Sequence, residues 1–451
     1  MKMFGTNGIR GESNQYLNCE LSLKVGKAIA TVLGPGPIAI AMDTRISSDM
    51  IRSSVSAGLM SMGVDVHNLG MVPTPALQYY VKTHQEVTGG VMITASHNPP
   101  EFNGIKCVSA DGTECKPEEE AAIEDAYETD IKVVGWKDIG CERIVEGAGE
   151  AYIDAVVSKV DVDLIRKANI KVCLDCANGA AVNTSPLLLK KLGVEAVIIN
   201  GEPDGMFPGH YSEPVEENLS ELKERVVKEK ADLGFAHDGD ADRCVFISET
   251  GKYMPGDYSL AILSKLQVES GKGKKLIVTP VSTSSMVEEL VTSLGGELVY
   301  TAVGSPVVAR RMIAEGSPMG GEDNGGLIFA DHQYCRDGAM SAARMIEAVA
   351  RYGSLQAQVD KLPKYVTIKA AAKCDNEKKE ALVERIAANH ASERMDRTDG
   401  LKIIFDNGWV LLRPSGTEPK FRIYSESKDE AVAKQRSEQF VKEVADVLAS
   451  L

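Results

Sequence analysis

The chain of 451 residues has no run of 18 apolar residues, and its opening MKMFGTNGIRG lacks the basic-then-apolar pattern of a leader. Neither a membrane-spanning helix nor a secretory segment is expected, and a cytoplasmic location is the default. Positive charge is also short: 50 Lys and Arg stand against 65 Asp and Glu, a formal net charge of −15. Nucleic acids and anionic membranes would be repelled, so neither is an expected partner. An anionic substrate has to be met locally, by Arg, Lys, backbone N–H groups or a metal. Cysteines are few and odd in number, nine in all, with one Cys-x-x-Cys from Cys173 to Cys176. No second cysteine pair and no histidine pair at ligand spacing accompanies it, which argues against zinc. Strand packing is then favoured over redox chemistry.

What is present is the balance of a globular enzyme, 43% hydrophobic and 25% charged. At about 150 residues per domain the length suggests roughly three domains. Three stretches alternate short β-branched runs with helical patterns. The first has strand-like runs at 37–43, 64–70 and 89–96 with a helix near 49–62. The second has runs at 170–176, 194–200 and 231–238 with a helix near 184–192. The third has runs at 275–280, 297–304 and 325–331 with a helix near 284–294. This rhythm predicts three related α/β domains with mixed, mostly parallel sheets. The tail differs. Residues 401–412 read as a hairpin about an Asn407-Gly408 turn and 428–450 as an amphipathic helix, giving a C-terminal α+β domain. The expected segments are 1–150, 151–250, 251–365 and 366–451.

Four loops at the ends of these runs carry chemistry. In TASHNPP (94–100), Ser96 is expected to stand exposed at a strand end. A Ser-capped Asn-Pro turn is the bland alternative, and a hydrolase pair with His97 is disfavoured, since neighbouring residues diverge and no G-x-S-x-G elbow is present. HDGDADR (237–243) spaces Asp238, Asp240 and Asp242 two apart, so an extended segment would turn all three to one face as hard oxygen ligands suited to Mg²⁺. A calcium EF-hand fails at its sixth position, where Arg243 replaces glycine; a solvated acidic loop remains the plain alternative. GGEDNGG (320–326) offers Glu322 and Asn324 to neighbouring hydroxyls, as on a sugar ring, or else is only a turn. RPSGTEPKFR (413–422) combines two arginines, hydroxyls and backbone amides, a nest for a dianionic phosphate unless it is a solvated turn.

Taken in order, FGTNGIRG (4–11), TASHNPPEFNGIK (94–106), DGDADR (238–243), GEDNGG (321–326) and RPSGTEP (413–419) resemble the α-D-phosphohexomutase family over essentially the full length. The runs DTR (43–45) and GEPDGMFPGH (201–210) support the likeness. The resemblance implies three α/β domains and a C-terminal α+β domain around a central cleft. It also implies a phosphosugar mutase working through a phosphoserine and a bisphosphorylated sugar. Ser96 would be the phosphoserine, and Asp238, Asp240 and Asp242 would hold one Mg²⁺ against it. Arg243, Lys106 and Arg10 would act on the transferred group, and His97 joins the catalytic set beside Ser96. Glu322, Asn324 and Gly304 would bind the sugar, and Arg413, Ser415, Gly416, Thr417 and Arg422 its distant phosphate. Expected small-molecule partners are sugar phosphates and an activating hexose bisphosphate, with the chain a monomer or homodimer.

The opening looks most like phosphoglucosamine mutases, although archaeal-type relatives acting on mannose, glucose or pentose phosphates start similarly. A Mg-dependent sugar phosphatase with Asp238 as nucleophile, or a phosphosugar-binding module, stays open as an alternative. One departure stands out: many members read GE-x-S-G-H at the sugar loop, where this chain has Asn324, Gly325 and Gly326. Lys106 is preferred over His332 for the proton role that the absent histidine would fill.

Overall fold

The structure, a computed structural model, describes residues 3–5, 8–415 and 419–451. They form two compact units: residues 1–263 with 324–360, and residues 264–323 with 361–451.

The first unit holds two mixed sheets. One runs in the order Ile9–Glu12, Phe102–Ser109, Gly89–Ile93, Ile38–Met42, Val66–Met71, Glu142–Ile144. Ile38–Met42 pairs in parallel with both Gly89–Ile93 and Val66–Met71, whereas Phe102–Ser109 turns back antiparallel. That reversal brings Lys106 opposite Met92 and so sets the lysine beside the strand leading to Ser96. The other sheet is built on Lys171–Asp175, parallel to Glu195–Ile199 and Leu233–His237, with Cys244–Ser248 antiparallel after the acidic loop. Strands buried on both faces read as continuous apolar runs, which is why IAIAM, GGVMI, LGFAH and CVFIS lack polar alternation.

Some helices start where a side chain takes an orphan amide. Asn18 accepts from Leu21 N–H to open Cys19–Leu33, and Asp337 accepts from Met340 N–H to open Gly338–Tyr352. The helices expected near 49–62, 184–192 and 284–294 are Ser48–Ser61, Ser185–Leu192 and Ser285–Ser293. None in the described residues is long and apolar enough to cross a membrane.

In the second unit Leu276–Pro280 pairs in parallel with Glu297–Thr301 and Met319–Gly321. The last strand expected for this stretch, Leu327–Phe329, forms as expected and pairs antiparallel with Gln333–Arg336; by compactness it is grouped with the first unit. The C-terminal sheet, Val366–Lys373, Lys420–Ser427, Gly408–Pro414, Leu401–Phe405, Arg394–Asp396, is antiparallel throughout. Its core of Leu401, Ile403, Val410, Leu412, Phe421 and Ile423 is covered by Lys379–Asn389 and Glu430–Ser450. The hairpin turn falls one residue earlier than its Asn-Gly pair suggests. Gly408 already pairs with Phe405 and, on its other side, with Ser427, which leaves Asp406 and Asn407 as the turn.

Candidate active site

In the first unit the serine and aspartate loops meet, each following the apolar strand that delivers it. Ser96 Oγ donates to Asp238 Oδ2 at 2.8 Å, and Lys106 Nζ to Asp240 Oδ2 at 2.6 Å. Lys106 also lies 3.5 Å from Asp242 Oδ2, to which Arg336 donates at 2.6 Å. Arg243 Nε sits 3.9 Å from Asp238 and 4.0 Å from Asp242, and Arg10 donates to Asn98 Oδ1 at 2.8 Å and to the Ala95 carbonyl. The expected catalytic residues of this unit are thus gathered.

Three expectations about them fail. Ser96 is fully buried rather than exposed, and so are Asp238 and Asp240. Nor do the aspartates share the face of an extended segment. Ala241 N–H bonds back to the Asp238 carbonyl and Ala241 has φ +54°, so a tight turn makes them converge. Gly239 lies at that turn. A Cβ there would come within 2.5 Å of the Ser96 carbonyl, so only glycine lets the two loops close on each other.

Ser96 itself has φ +54°, uncommon for a residue with a side chain. This brings its Oγ to 3.3 Å from His97 Nδ1, so the neighbours do not diverge as anticipated. Yet burial, followed by the charges of Arg243 and Arg10, drives the His97 imidazole down to about 2. It is a neutral ring and a poor base.

The strained loop is held by Arg45, whose guanidinium donates to the carbonyls of Ser96, Asn98, Pro99 and Phe102. Asp43 orients that arginine at 3.0 Å and accepts from Thr94 Oγ1, which in turn accepts from Ser96 N–H. DTR at 43–45 signalled a likeness but not this task.

Burial, then the charges of Asp240 and Asp242, raises the Asp238 carboxyl to about 8. Burial would raise Asp240 as well, but Lys106 and a hydrogen bond from Thr74 outweigh it and hold that carboxyl well below the usual range. Carboxylate oxygens of all three lie within 4.8 Å of one another. Asp240 Oδ1 and Asp242 Oδ1 are buried with no hydrogen-bond partner among the described residues. An all-carboxylate set with two orphaned oxygens fits a hard divalent cation such as Mg²⁺. Thr74 and Arg336 escaped the sequence reading because neither lies in a motif loop, and only the fold brings them to the aspartates.

In the second unit Glu322 Oε1 accepts from Gly304 N–H at 3.1 Å. Asn324, which falls in the first unit, turns its own Oδ1 onto Gly326 N–H. Arg413 and Arg422 face each other across paired strands, and Asp399 takes Arg413 Nε at 2.6 Å. Ser415 is buried, and its carbonyl accepts from Lys379 Nζ at 2.5 Å. Gly416 and Thr417 lie outside the described residues. In the first unit His332 is buried, stacked on Tyr79 at 5.2 Å and 3.3 Å from Asp337. Cys173 and Cys176 are buried free thiols whose ionisation burial pushes up, to about 11 for Cys173, which fits packing rather than redox work.

Residues 1–133, 150–251 and 255–366 match the alpha/beta/alpha domains I, II and III of phosphoglucomutase/phosphomannomutase, and 370–443 match its C-terminal domain. A phosphoglucomutase/phosphomannomutase of Thermococcus kodakarensis is 40% identical, with 99% of each chain covered. A phosphoglucosamine/phosphogalactosamine mutase of Sulfurisphaera tokodaii is 42% identical, with 96% of each covered. The crystal structure of a phosphoglucomutase/phosphomannomutase family protein from Burkholderia thailandensis has the same fold. Its TM-score is 0.88 at 24% identity, covering 97% of this chain and 96% of that one.

Proposed function

The chain belongs to the phosphoglucomutase/phosphomannomutase family, a family of mutases, and on that premise we propose that it moves phosphate between the 1- and 6-positions of a hexose phosphate. The reaction read first is glucosamine-6-phosphate to glucosamine-1-phosphate. Several relatives carry phosphoglucosamine mutase names, and one is named for glucose and mannose phosphates, which keeps those substrates as the alternative. The observation that carries the proposal is the 2.8 Å contact of a buried serine hydroxyl with a carboxylate cluster in which Asp240 Oδ1 and Asp242 Oδ1 have no hydrogen-bond partner among the described residues.

On this reading Ser96 carries the phosphoryl group, loaded by an activating hexose bisphosphate. A hydroxyl of the sugar monophosphate attacks that phosphorus, forming a new P–O bond as the bond to Ser96 Oγ breaks. The hydroxyl loses its proton, a proton reaches Ser96 Oγ, and Lys106 is assigned the transfer. The bisphosphorylated sugar then turns end for end. Ser96 Oγ attacks the other phosphate, which restores the phosphoserine and leaves the isomeric monophosphate. Asp238, Asp240 and Asp242, with an oxygen on Ser96, would hold one Mg²⁺, whose charge offsets that of the phosphoryl oxygens. Arg243 and Arg10 add positive charge for the transferring group. His97 stays neutral and accepts from Arg243, fixing that guanidinium rather than moving protons. In the second unit Glu322 reads ring hydroxyls, and Arg413, Ser415 and Arg422 grip the phosphate that does not react.

Turnover of glucosamine, glucose, mannose and ribose phosphates, measured side by side with Mg²⁺ and catalytic bisphosphate, tests the proposal. An isomerised sugar phosphate with no loss to free phosphate is expected, fastest for glucosamine. Free phosphate without isomer would make the protein a phosphatase.

A further inference from the structure

The hairpin loop of residues 397–400 is pressed against the arginine assigned to the phosphate. Gly400 has φ +78°, and a Cβ on it would stand 2.3 Å from the Leu412 carbonyl and 3.1 Å from the Arg413 Cα. Only glycine permits so close an approach, and it delivers the preceding Asp399 to Arg413. The Asp399 carboxylate then does two things with one oxygen. Oδ2 accepts from Arg413 Nε at 2.6 Å and from the backbone N–H of Val303 at 3.0 Å. The next amide along, Gly304 N–H, is held by Glu322 Oε1 at 3.1 Å. Two consecutive amides are therefore strung between two carboxylates, one tied to the phosphate arginine and the other assigned to the sugar.

Charge explains why a carboxylate belongs here. Arg413 and Arg422 are direct cross-strand partners, and like charges so placed repel. Asp399 offsets that repulsion while engaging only the Nε edge of Arg413. Bidentate recognition of a phosphate can then use the paired Nη groups. A phosphate held by the Nη groups fixes the guanidinium, and with it the shared Asp399 oxygen that accepts from the Val303 amide. The Val303 amide is then held more firmly.

We propose that Asp399 is a positioning residue that couples the phosphate grip of Arg413 to the Val303–Gly304 segment, and through it to Glu322. Occupation of the phosphate site thereby orders the group that reads the sugar. The inference rests on the roles given to Arg413 and Glu322 above.

Two measurements on the full chain test it, and one needs no mutase activity. In the first, inorganic phosphate is the probe and backbone hydrogen exchange of residues 302–305 the readout. Phosphate should slow exchange there at least threefold in the wild type, and the effect should vanish in Asp399→Ala and in Arg413→Ala. Equal protection in Asp399→Ala, or none in the wild type, overturns the proposal. Asp399→Asn, which keeps an acceptor for Val303 N–H but not the charge on Arg413, gives a gentler variant should Asp399→Ala unfold. It should lose at least half of the protection; full protection counts against the coupling.

The second measurement is a double-mutant cycle of Arg413→Ala and Glu322→Gln in kcat/KM. The two should be non-additive by about fivefold or more in the wild-type background and additive within twofold in Asp399→Ala. A merely structural Asp399 would lower all four values together and leave the non-additivity intact, which would sink the idea. If no sugar phosphate is turned over, the cycle fails with the mutase reading, whereas the exchange experiment still judges Asp399.

Discussion

Ser96 and Asp238 are 142 positions apart and share a 2.8 Å hydrogen bond, serine donating, inside a fully buried site. Exposure would let water compete for a phosphoryl group on that serine, and burial restricts it. On the proposed reading the hydroxyl serves chemistry rather than loop capping, and its removal has a defined expectation. Ser96→Ala should fold, at a cost of about 1–2 kcal/mol for the lost hydrogen bond, and lose nearly all mutase turnover. Intact-mass analysis of the wild type should show a phosphate adduct that excess unphosphorylated sugar removes. Activity above about a tenth of wild type in the variant would falsify the phosphoserine assignment.

Asp240→Asn should be more damaging than an exposed-loop change, because it breaks a buried pair with Lys106. A loss of about 3–5 kcal/mol is expected from thermal or denaturant unfolding. Binding to the folded state raises stability by mass action, so Mg²⁺ should raise the wild-type Tm and leave that of the variant nearly unchanged. An undiminished Mg²⁺ response would place the cation elsewhere.

Glu322→Gln removes the charge from the acceptor of Gly304 N–H. It should cost about 1–3 kcal/mol in kcat/KM, for glucose, mannose and glucosamine phosphates alike. Arg413→Ala should raise KM for every phosphosugar by a similar factor, since the gripped phosphate is common to all; a loss confined to one sugar would contradict its role.

His332→Ala separates structure from catalysis. With its ring stacked on Tyr79 and facing Asp337, the residue should cost about 1–3 kcal/mol of stability when removed, and little in kcat. A drop of about a hundredfold in kcat would instead give it the proton role assigned to Lys106.

His210 provides a pH signature. Burial opposes its protonation, but the hydrogen bond and charge of Asp175 at 3.1 Å prevail and raise the imidazole above its ordinary value. A raised histidine contributes stability that is complete below about pH 6.5, the unfolded value, and is lost as pH climbs through the folded one. The Tm difference between wild type and His210→Gln should therefore be largest below about pH 6.5 and shrink above it. A difference that grows with pH would refute the pairing.

Element order was legible in the sequence, because apolar runs and caps are local patterns that shape strands and helices wherever they fall. The sequence by itself also determined the chemical kinds at the loops: serine, three aspartates, a Glu and Asn beside glycines, two arginines with hydroxyls. Tertiary structure decided what those groups meet. Burial of Ser96 and the aspartates follows from packing one strand-end loop on another through Gly239, which no local pattern encodes. Lys106 finds Asp240, and Arg336 finds Asp242, across 134 and 94 positions, because chain reversals bring distant strand ends together. Thr74, Arg45 and Asp399 act through hydrogen bonds whose partners lie tens to hundreds of residues away. The turn at Asp406-Asn407 moved by one residue for a similar reason: Gly408 is claimed by strands on both sides, and pairing across a sheet outweighs a dipeptide's preference.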